Sequence, residues 1–244
     1  MKYKLSLALL FTLPAFAHAG GGGGNFNFYG KAGIDLTSRF ETMKIILPNI
    51  NKEANVPASS RQNTFSPSIF LETTYNILPQ TEIGLGLGYI KRKGFDHSAT
   101  WKISNQGNIG FGDNNAVENY RINRYSSLPI YFTLKQNYAL NANSKFYLKG
   151  DIGYSINKID NTKYNYYTDV SGKLELDSLS SRFQNFKAQN GLYLGLGIGF
   201  EYKFFLADIG YYHTHAKVNY KSDGSYSWHP YNNDAIRLTL GFKF

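Results

Sequence analysis

The sequence predicts an all-β fold, an eight-stranded antiparallel up-and-down transmembrane barrel, from three observations. Eight segments alternate apolar and polar residues with the period of two that a strand imposes. The connections between them alternate short and long without exception. No segment after the N-terminus supplies the run of about 18 apolar residues that a spanning helix needs. The longest candidate, Gly191 to Phe200, alternates glycine with large side chains, as a strand does.

In the first strand, Phe26, Phe28, Gly30, Ala32, Ile34 and Leu36 share one face, and Asn27, Tyr29, Lys31, Gly33, Asp35 and Thr37 the other. The second, about Phe65 to Asn76, sets Ile69, Leu71, Thr73 and Tyr75 against Phe70, Glu72 and Thr74. The third, about Thr81 to Lys93, sets Ile83, Leu85, Leu87 and Tyr89 against Glu82 and three glycines. The fourth, about Tyr120 to Leu140, carries Leu128, Ile130, Phe132 and Leu134 opposite Tyr131, Thr133 and Lys135. Pro129 cannot donate to a ladder, so a bulge or local break is expected there.

The fifth strand opposes Phe146, Leu148, Ile152, Tyr154 and Ile156 to Tyr147, Lys149, Asp151 and Ser155. The sixth opposes Leu192, Leu194, Leu196, Ile198 and Phe200 to Tyr193, Glu201 and three glycines. The seventh starts at Phe205, with Ala207, Ile209 and Tyr211 against Asp208, Gly210 and Tyr212. The last places Ile236, Leu238, Leu240, Phe242 and Phe244 opposite Arg237, Thr239, Gly241 and Lys243. No helical period competes.

Short connections fall at about Ile77 to Gln80, Asn141 to Ser144 and Lys203-Phe204. Long ones run about Phe40 to Thr64, Gly94 to Asn119, Ile159 to Gln189 and Lys221 to Asn233, rich in Asn, Ser, Asp, Lys and Tyr. All four long loops therefore leave one end of the sheet, with both termini at the other. Even strand number, short turns, long loops and alternating segments of about ten residues are the plan of an outer-membrane barrel. Hydrocarbon demands internal pairing of every backbone N–H and C=O, which only a closed sheet provides without helices.

Residues 1–19 have a basic start, an apolar run from Leu5 to Phe16 and Ala17-His18-Ala19. That pattern predicts a cleaved secretory signal, with Ala17, Ala19 and Gly20 marking the cut. Residues 20–25 then form a glycine-rich flexible lead-in, and 26–244 the barrel. The absence of cysteine excludes disulfides, thiolate metal sites and a cysteine nucleophile. Formal charge is +9, or 24 − 17 = +7 once Lys2 and Lys4 leave with the signal. The basic residues are scattered and the chain is exported, so a nucleic-acid partner is not expected.

A secreted soluble barrel also alternates, with its apolar face inward. Against it stand the low charged fraction of 18%, the asymmetric connections and the aromatic end of the last strand. Twenty tyrosines and 18 phenylalanines suit interfacial girdles, with Tyr75, Tyr138, Tyr202, Phe204 and Phe205 at the short-turn end.

The stretch Phe205-Leu-Ala-Asp-Ile-Gly-Tyr-Tyr, a variable loop and Ala235-Ile-Arg-Leu-Thr-Leu-Gly-Phe-Lys-Phe244 resembles the ending of small outer-membrane barrels. These form the opacity-protein and OmpA/OmpX-like porin superfamily, and the resemblance spans about Phe26 to Phe244. It implies an assembly signal at Phe242 and Phe244, read by the barrel-assembly machinery. It also implies a place in the bacterial outer membrane in contact with its lipid, loops extracellular and both termini periplasmic.

Eight strands leave an interior just wide enough for side chains. The expected inward charges are Lys31, Asp35, Glu72, Glu82, Lys135, Lys149, Asp151, Glu201, Asp208, Arg237 and Lys243. Paired, they form a salt-bridge plug, because an unpaired buried charge is costly; a narrow polar path is the alternative. Inward Gly84, Gly86, Gly88, Gly195, Gly197 and Gly199 are expected to make room for tyrosines such as Tyr131, Tyr147, Tyr193 and Tyr212. His213 and His215 share a strand face near His229, but no carboxylate stands at a diagnostic spacing, so neither metal nor cofactor is expected.

No H-x-S or G-x-S-x-G pattern marks a catalytic serine, so no catalytic residue is assigned. The expected function is that of a non-enzymatic surface, adhesion or envelope-structural protein. Tyrosine-rich loops such as Lys163 to Thr168 would meet a host or cell-surface ligand. A narrow channel for small solutes and an outer-leaflet lipid-modifying enzyme are the alternatives.

Overall fold

A computed structural model describes residues 26–40, 43–47, 52–56, 66–103, 114–160, 162–170, 173–176, 182–184, 187–222 and 225–244. The expected signal segment, its cleavage positions Ala17, Ala19 and Gly20, and the lead-in 20–25 lie outside these residues. Eight long strands make the barrel: β1 (Phe26–Phe40), β2 (Ser66–Leu78), β3 (Thr81–Ile103), β4 (Asn114–Asn141), β5 (Ser144–Ile159), β6 (Gly191–Tyr202), β7 (Phe205–Thr214) and β8 (Asn233–Lys243). Each pairs antiparallel with its neighbours in sequence, and β8 pairs with β1 to close the sheet. None of the described residues is helical.

The three short connections are two-residue turns at Pro79-Gln80, Ala142-Asn143 and Lys203-Phe204. Lys203 takes a φ of 53° in the last of them. Neighbouring turns are tied together, since the Lys203 amide donates to the Asn143 carbonyl at 2.8 Å. At the seam the Phe244 amide donates to the Phe28 carbonyl at 2.9 Å, so the chain's last residue helps close the ladder.

The parity of the sequence sets the two surfaces. Ile69, Ile83, Leu85, Phe132, Leu134, Ile152, Leu196 and Leu240 are exposed on the outer wall, Leu196 by 71%. Their strand neighbours Glu72, Glu82, Thr133, Asp151 and Thr239 are buried within. A protein in water would not expose a continuous aliphatic wall while burying its ions. The outer wall is a lipid-facing surface, and the sheet is a transmembrane barrel.

Three local features depart from the simple alternation. A bulge at Leu36 shifts the β1–β8 register between Asp35 and Thr37. Ser38 therefore turns inward and Thr37 outward, reversing the expected parity of the strand's end. At Pro129 the expected disturbance is a break: β3–β4 pairing lapses between Leu87–Ile130 and Ile90–Ser127, then resumes in the same register. Two of the segments expected as loops are largely strand. β3 runs on to Ile103 and β4 begins at Asn114, far beyond the 9–11 residues needed to cross a bilayer.

On this projecting hairpin, Thr162–Val170 adds a further strand beside β4, and Lys173–Leu176 and Arg182–Gln184 pair with it in turn. The tyrosine-rich segment Lys163 to Thr168 thus lies in a strand. Met43–Leu47 pairs with Lys52–Val56 as a hairpin, while Lys217–Ser222 pairs with both Ser225–Pro230 and Lys187–Gln189 in a three-stranded sheet.

Four inward glycines on β3 and β6 sit where a ring passes. A Cβ at Gly86 would enter the Tyr131 ring, at Gly88 the Phe70 ring, at Gly195 the Tyr212 ring, and at Gly199 the Tyr147 ring. Gly150, on the outer wall, would meet only Leu196 at 3.8 Å. Gly199→Ala is therefore expected to cost about 1–3 kcal/mol through overpacking, while Gly150→Ala stays within about 0.5 kcal/mol. Urea unfolding in lipid vesicles, followed by heat-modifiable gel migration, measures the difference. Equal midpoints for the two variants would contradict this packing.

Candidate functional site

The barrel interior is the most densely built chemical site among the described residues. Eleven charged side chains are buried in it: the carboxylates of Asp35, Glu72, Glu82, Asp151, Glu201 and Asp208, and the cations of Lys31, Arg92, Lys135, Lys149 and Arg237. Strand alternation puts them there, and antiparallel register decides which of them meet.

At the short-turn end Glu82 and Glu201 lie next to their turns and share lysines. Lys145 reaches both, at 3.3 Å and 3.2 Å, and Lys135 lies 3.0 Å from Glu201 and 3.8 Å from Glu82. Thr74, Tyr29 and Asn137 donate to Glu82 at 2.6, 2.9 and 2.7 Å. Lys243 stands at the rim, 3.7 Å from Glu201 with its side chain 29% exposed.

In the middle tier Glu72 accepts from both Lys31 and Lys149 at 2.7 Å, and from the Tyr131 hydroxyl at 2.7 Å. Lys149 also holds Asp151 at 3.2 Å, and Lys31 lies 3.4 Å from Asp208. The Tyr147 hydroxyl donates to Asp208 at 3.0 Å, and the Lys135 ammonium lies 4.2 Å from the Tyr147 ring centroid, joining the two tiers.

Toward the long connections, Arg237 donates from Nε to Asp35 at 2.6 Å, and Arg92 stands 3.9 Å from the other Asp35 oxygen. Asp35 and Arg237 are register partners across the β1–β8 seam. Arg92 Nη1 donates to Ser127 at 2.7 Å. Arg237 lies over the Tyr212 and Phe70 rings, 4.6 and 5.1 Å from their centroids.

Phe70, Ile90, Tyr131, Tyr193 and Tyr212 fill the remaining cross-section. The space left between Lys31, Glu72, Lys149 and the surrounding rings has no room for a water-sized sphere. The arrangement can brace the wall; in this state it offers no open path.

The eleven charges expected from sequence thus fall into three tiers, ten buried and Lys243 at the rim. Sequence reasoning missed Arg92, Lys145 and the anchoring role of Tyr29. Arg92 continues the inward parity of Glu82 and Ile90 on β3, so extending that count by one position finds it. Phe242 and Phe244, the expected assembly signal, are exposed beside Phe204, Phe205 and Gly30. Phe26 and Tyr75, 4.9 Å apart, and Tyr138 and Phe146, 6.4 Å apart, continue this aromatic band at the short-turn end.

On the outer wall of β7, His213 Nδ1 lies 2.7 Å from Asp234 Oδ1, and the Tyr211 hydroxyl donates to the same oxygen at 2.6 Å. Linear spacing could not bring Asp234 to His213, because the pairing comes from β7–β8 register. The described bonds of this group link His213 and Tyr211 to Asp234, and Thr214 between the histidines is buried inward. The side chain of His229 is outside the described set.

A closed antiparallel sheet of eight strands, aliphatic outside and ionic inside, defines an integral outer-membrane β-barrel protein. No protein-family model matches the chain. It is 39% identical over 246 residues to the uncharacterized protein PM1543 of Pasteurella multocida (strain Pm70), covering all of both chains, and belongs to the same family.

Among solved structures it is similar to the outer membrane protein OprG from Pseudomonas aeruginosa, with 14% identity over 91% of this chain and 96% of that one and a TM-score of 0.42. It is also similar to Ail, the attachment invasion locus protein of Yersinia pestis, with 12% identity, coverage of 91% and 99%, and a TM-score of 0.32. The outer membrane protease OmpT from Escherichia coli matches with 10% identity, coverage of 89% and 96%, and a TM-score of 0.42. The chain's own strand pairing and exposure carry the assignment of class.

Removing one member of a buried ion group unbalances it, even where Lys149 keeps Asp151 and Lys31 keeps Asp208. Glu72→Gln leaves Lys31 and Lys149 without their shared carboxylate, two cations facing two carboxylates at longer range, and is expected to cost about 2–4 kcal/mol. Lys243→Gln, at the wet rim, is expected to cost no more than about 1 kcal/mol. Urea midpoints of the two folded variants in vesicles check this; a Glu72→Gln barrel as stable as the parent would contradict the bracing role.

Proposed function

We propose that this is a non-enzymatic surface protein of the bacterial outer membrane, with its barrel as anchor and its long connections as the working part. The long connections lie outside the cell and the short turns and both termini in the periplasm. The observation that carries this reading is the contrast between interior and projection. The lumen holds three tiers of ions and rings, and its middle tier, around Lys31, Glu72 and Lys149, leaves no water-sized space. β3 and β4 meanwhile extend past membrane thickness and recruit Thr162–Val170 as an added strand. Material invested beyond the bilayer points to contact with a host cell, another bacterium or envelope components.

The aromatic band ending in Phe242 and Phe244 supports recognition by the barrel-assembly machinery at the periplasmic end. A channel would need the Glu72–Lys149–Lys31 group to part, and a lipid enzyme would need a nucleophile beside the His213–Asp234 pair. The closed middle tier favours the surface-protein reading over a channel.

Two measurements decide. Planar-bilayer recording of the pure folded protein is expected to give no stepwise conductance; steady unitary currents would overturn the closed-plug reading. Deleting 163–182 while keeping the barrel is expected to abolish adherence to cells or matrix with unchanged heat-modifiable migration. Full adherence by the deletion would remove this segment as the contact surface.

A further inference from the structure

The outer wall changes chemistry from one end to the other. At the short-turn end its outward residues are aromatic, as in Phe26, Tyr75, Phe204, Phe205 and Phe242. At the long-connection end, Arg39 on β1, Lys91 on β3 and Lys158 on β5 are exposed instead. Two of these converge on one rung. Lys91 pairs with Ser126 of β4, and Ser126 pairs with Lys158 of β5.

All three side chains occupy the outer face, because the residues flanking each are buried: Ile90 and Arg92, Tyr125 and Ser127, Asn157 and Ile159. Adjacent strands lie about 4.8 Å apart, so the two lysine backbones are separated by about 10 Å. Two flexible four-carbon stems can bring their ammonium groups together over that span, with the Ser126 hydroxyl as a third donor between them. Among the described residues neither lysine has an ion pair, and Asp160, two residues past Lys158, makes none with it.

One outward position toward the membrane centre, about 7 Å along the strands, the chemistry is apolar. Tyr89 and Ile156 are exposed, and Leu128 pairs with Ile156. A basic rung directly above an apolar one matches a lipid whose anionic headgroup sits above acyl chains. Two ammonium groups match a phosphate monoester, with about −1.5 to −2 charges at neutral pH, better than a singly charged diester.

We propose that Lys91, Ser126 and Lys158 bind the phosphate monoester of an outer-leaflet glycolipid, its acyl chains lying along Tyr89, Leu128 and Ile156. The inference rests on the reading that the long connections face outward, since it is the outer leaflet that would meet this rung. The site fixes the barrel's height and rotation in the membrane and holds a lipid beside the projecting β3–β4 hairpin.

Native mass spectrometry of the full folded protein tests it, with three probes: phosphorylated lipid A, the same lipid dephosphorylated, and phosphatidylglycerol. The parent is expected to retain phosphorylated lipid A over the other two. Lys91→Gln/Lys158→Gln lowers that retention about tenfold or more, Ser126→Ala lowers it less, and Lys203→Gln at the opposite end leaves it unchanged. Heat-modifiable migration reports folding of every variant. A folded double variant that retains the lipid like the parent, or a parent that holds phosphatidylglycerol equally, overturns the site alone. A parent with no heat-modifiable form overturns the barrel and the site with it.

Discussion

Closure of the sheet between β1 and β8 is the condition on which the rest of the structure depends. An open edge would leave a row of backbone donors and acceptors in hydrocarbon, each costing several kcal/mol. The seam runs from Tyr29–Lys243 to Phe40–Asn233, interrupted only by the bulge at Leu36. It is fastened inside by Asp35 and Arg237, residues 202 positions apart in sequence, and at its end by the Phe244 amide on Phe28. Sequence supplies both halves of this fastening at the two extremes of the barrel, so closure requires the last strand to be present and in register.

Once the wall is closed, its polarity follows. An aliphatic exterior removes the ordinary hydrophobic drive toward a greasy core, and stability must come from the ladder and the lumen. That accounts for so many ions in so small a space. Glu72, Glu82, Glu201 and Asp208 are each shared among two or more donors, as Glu72 is between Lys31, Lys149 and Tyr131. Such a network is stiff and intolerant of partial loss, which suits an anchor. Function is thereby displaced to the surface: to the hairpin beyond the bilayer and to the outer wall where lipid and loop chemistry meet.

Much of this was legible in the sequence because a membrane barrel writes its two faces as odd and even positions. Lys31, Asp35, Glu72, Glu82 and Asp151 could be placed inside from parity alone, and the short connections from the spacing of neighbouring runs, to within a residue or two. Parity failed where geometry inserts a residue, as at Leu36, which turned Thr37 out and Ser38 in. It also failed beyond the membrane, where hydrocarbon no longer enforces alternation. Segments such as Phe95 to Trp101 therefore read as loop although they are strand. The partner of each ion was not legible at all: Asp234 reaches His213, and Arg237 reaches Asp35, through register rather than spacing.

Closure of the cylinder can be tested directly, because the chain contains no cysteine of its own. Ile34 and Leu238 are register partners across the seam, and Ile152 and Leu194 are partners across β5–β6. Antiparallel partners have Cα separations of about 4.5–5.5 Å, within disulfide range. Ile34→Cys/Leu238→Cys, oxidised in the membrane fraction, should cross-link as completely as Ile152→Cys/Leu194→Cys, giving an altered band on a non-reducing gel of the boiled protein. Cross-linking of the β5–β6 pair alongside a seam pair that stays reduced would mean an open sheet and contradict the closed barrel.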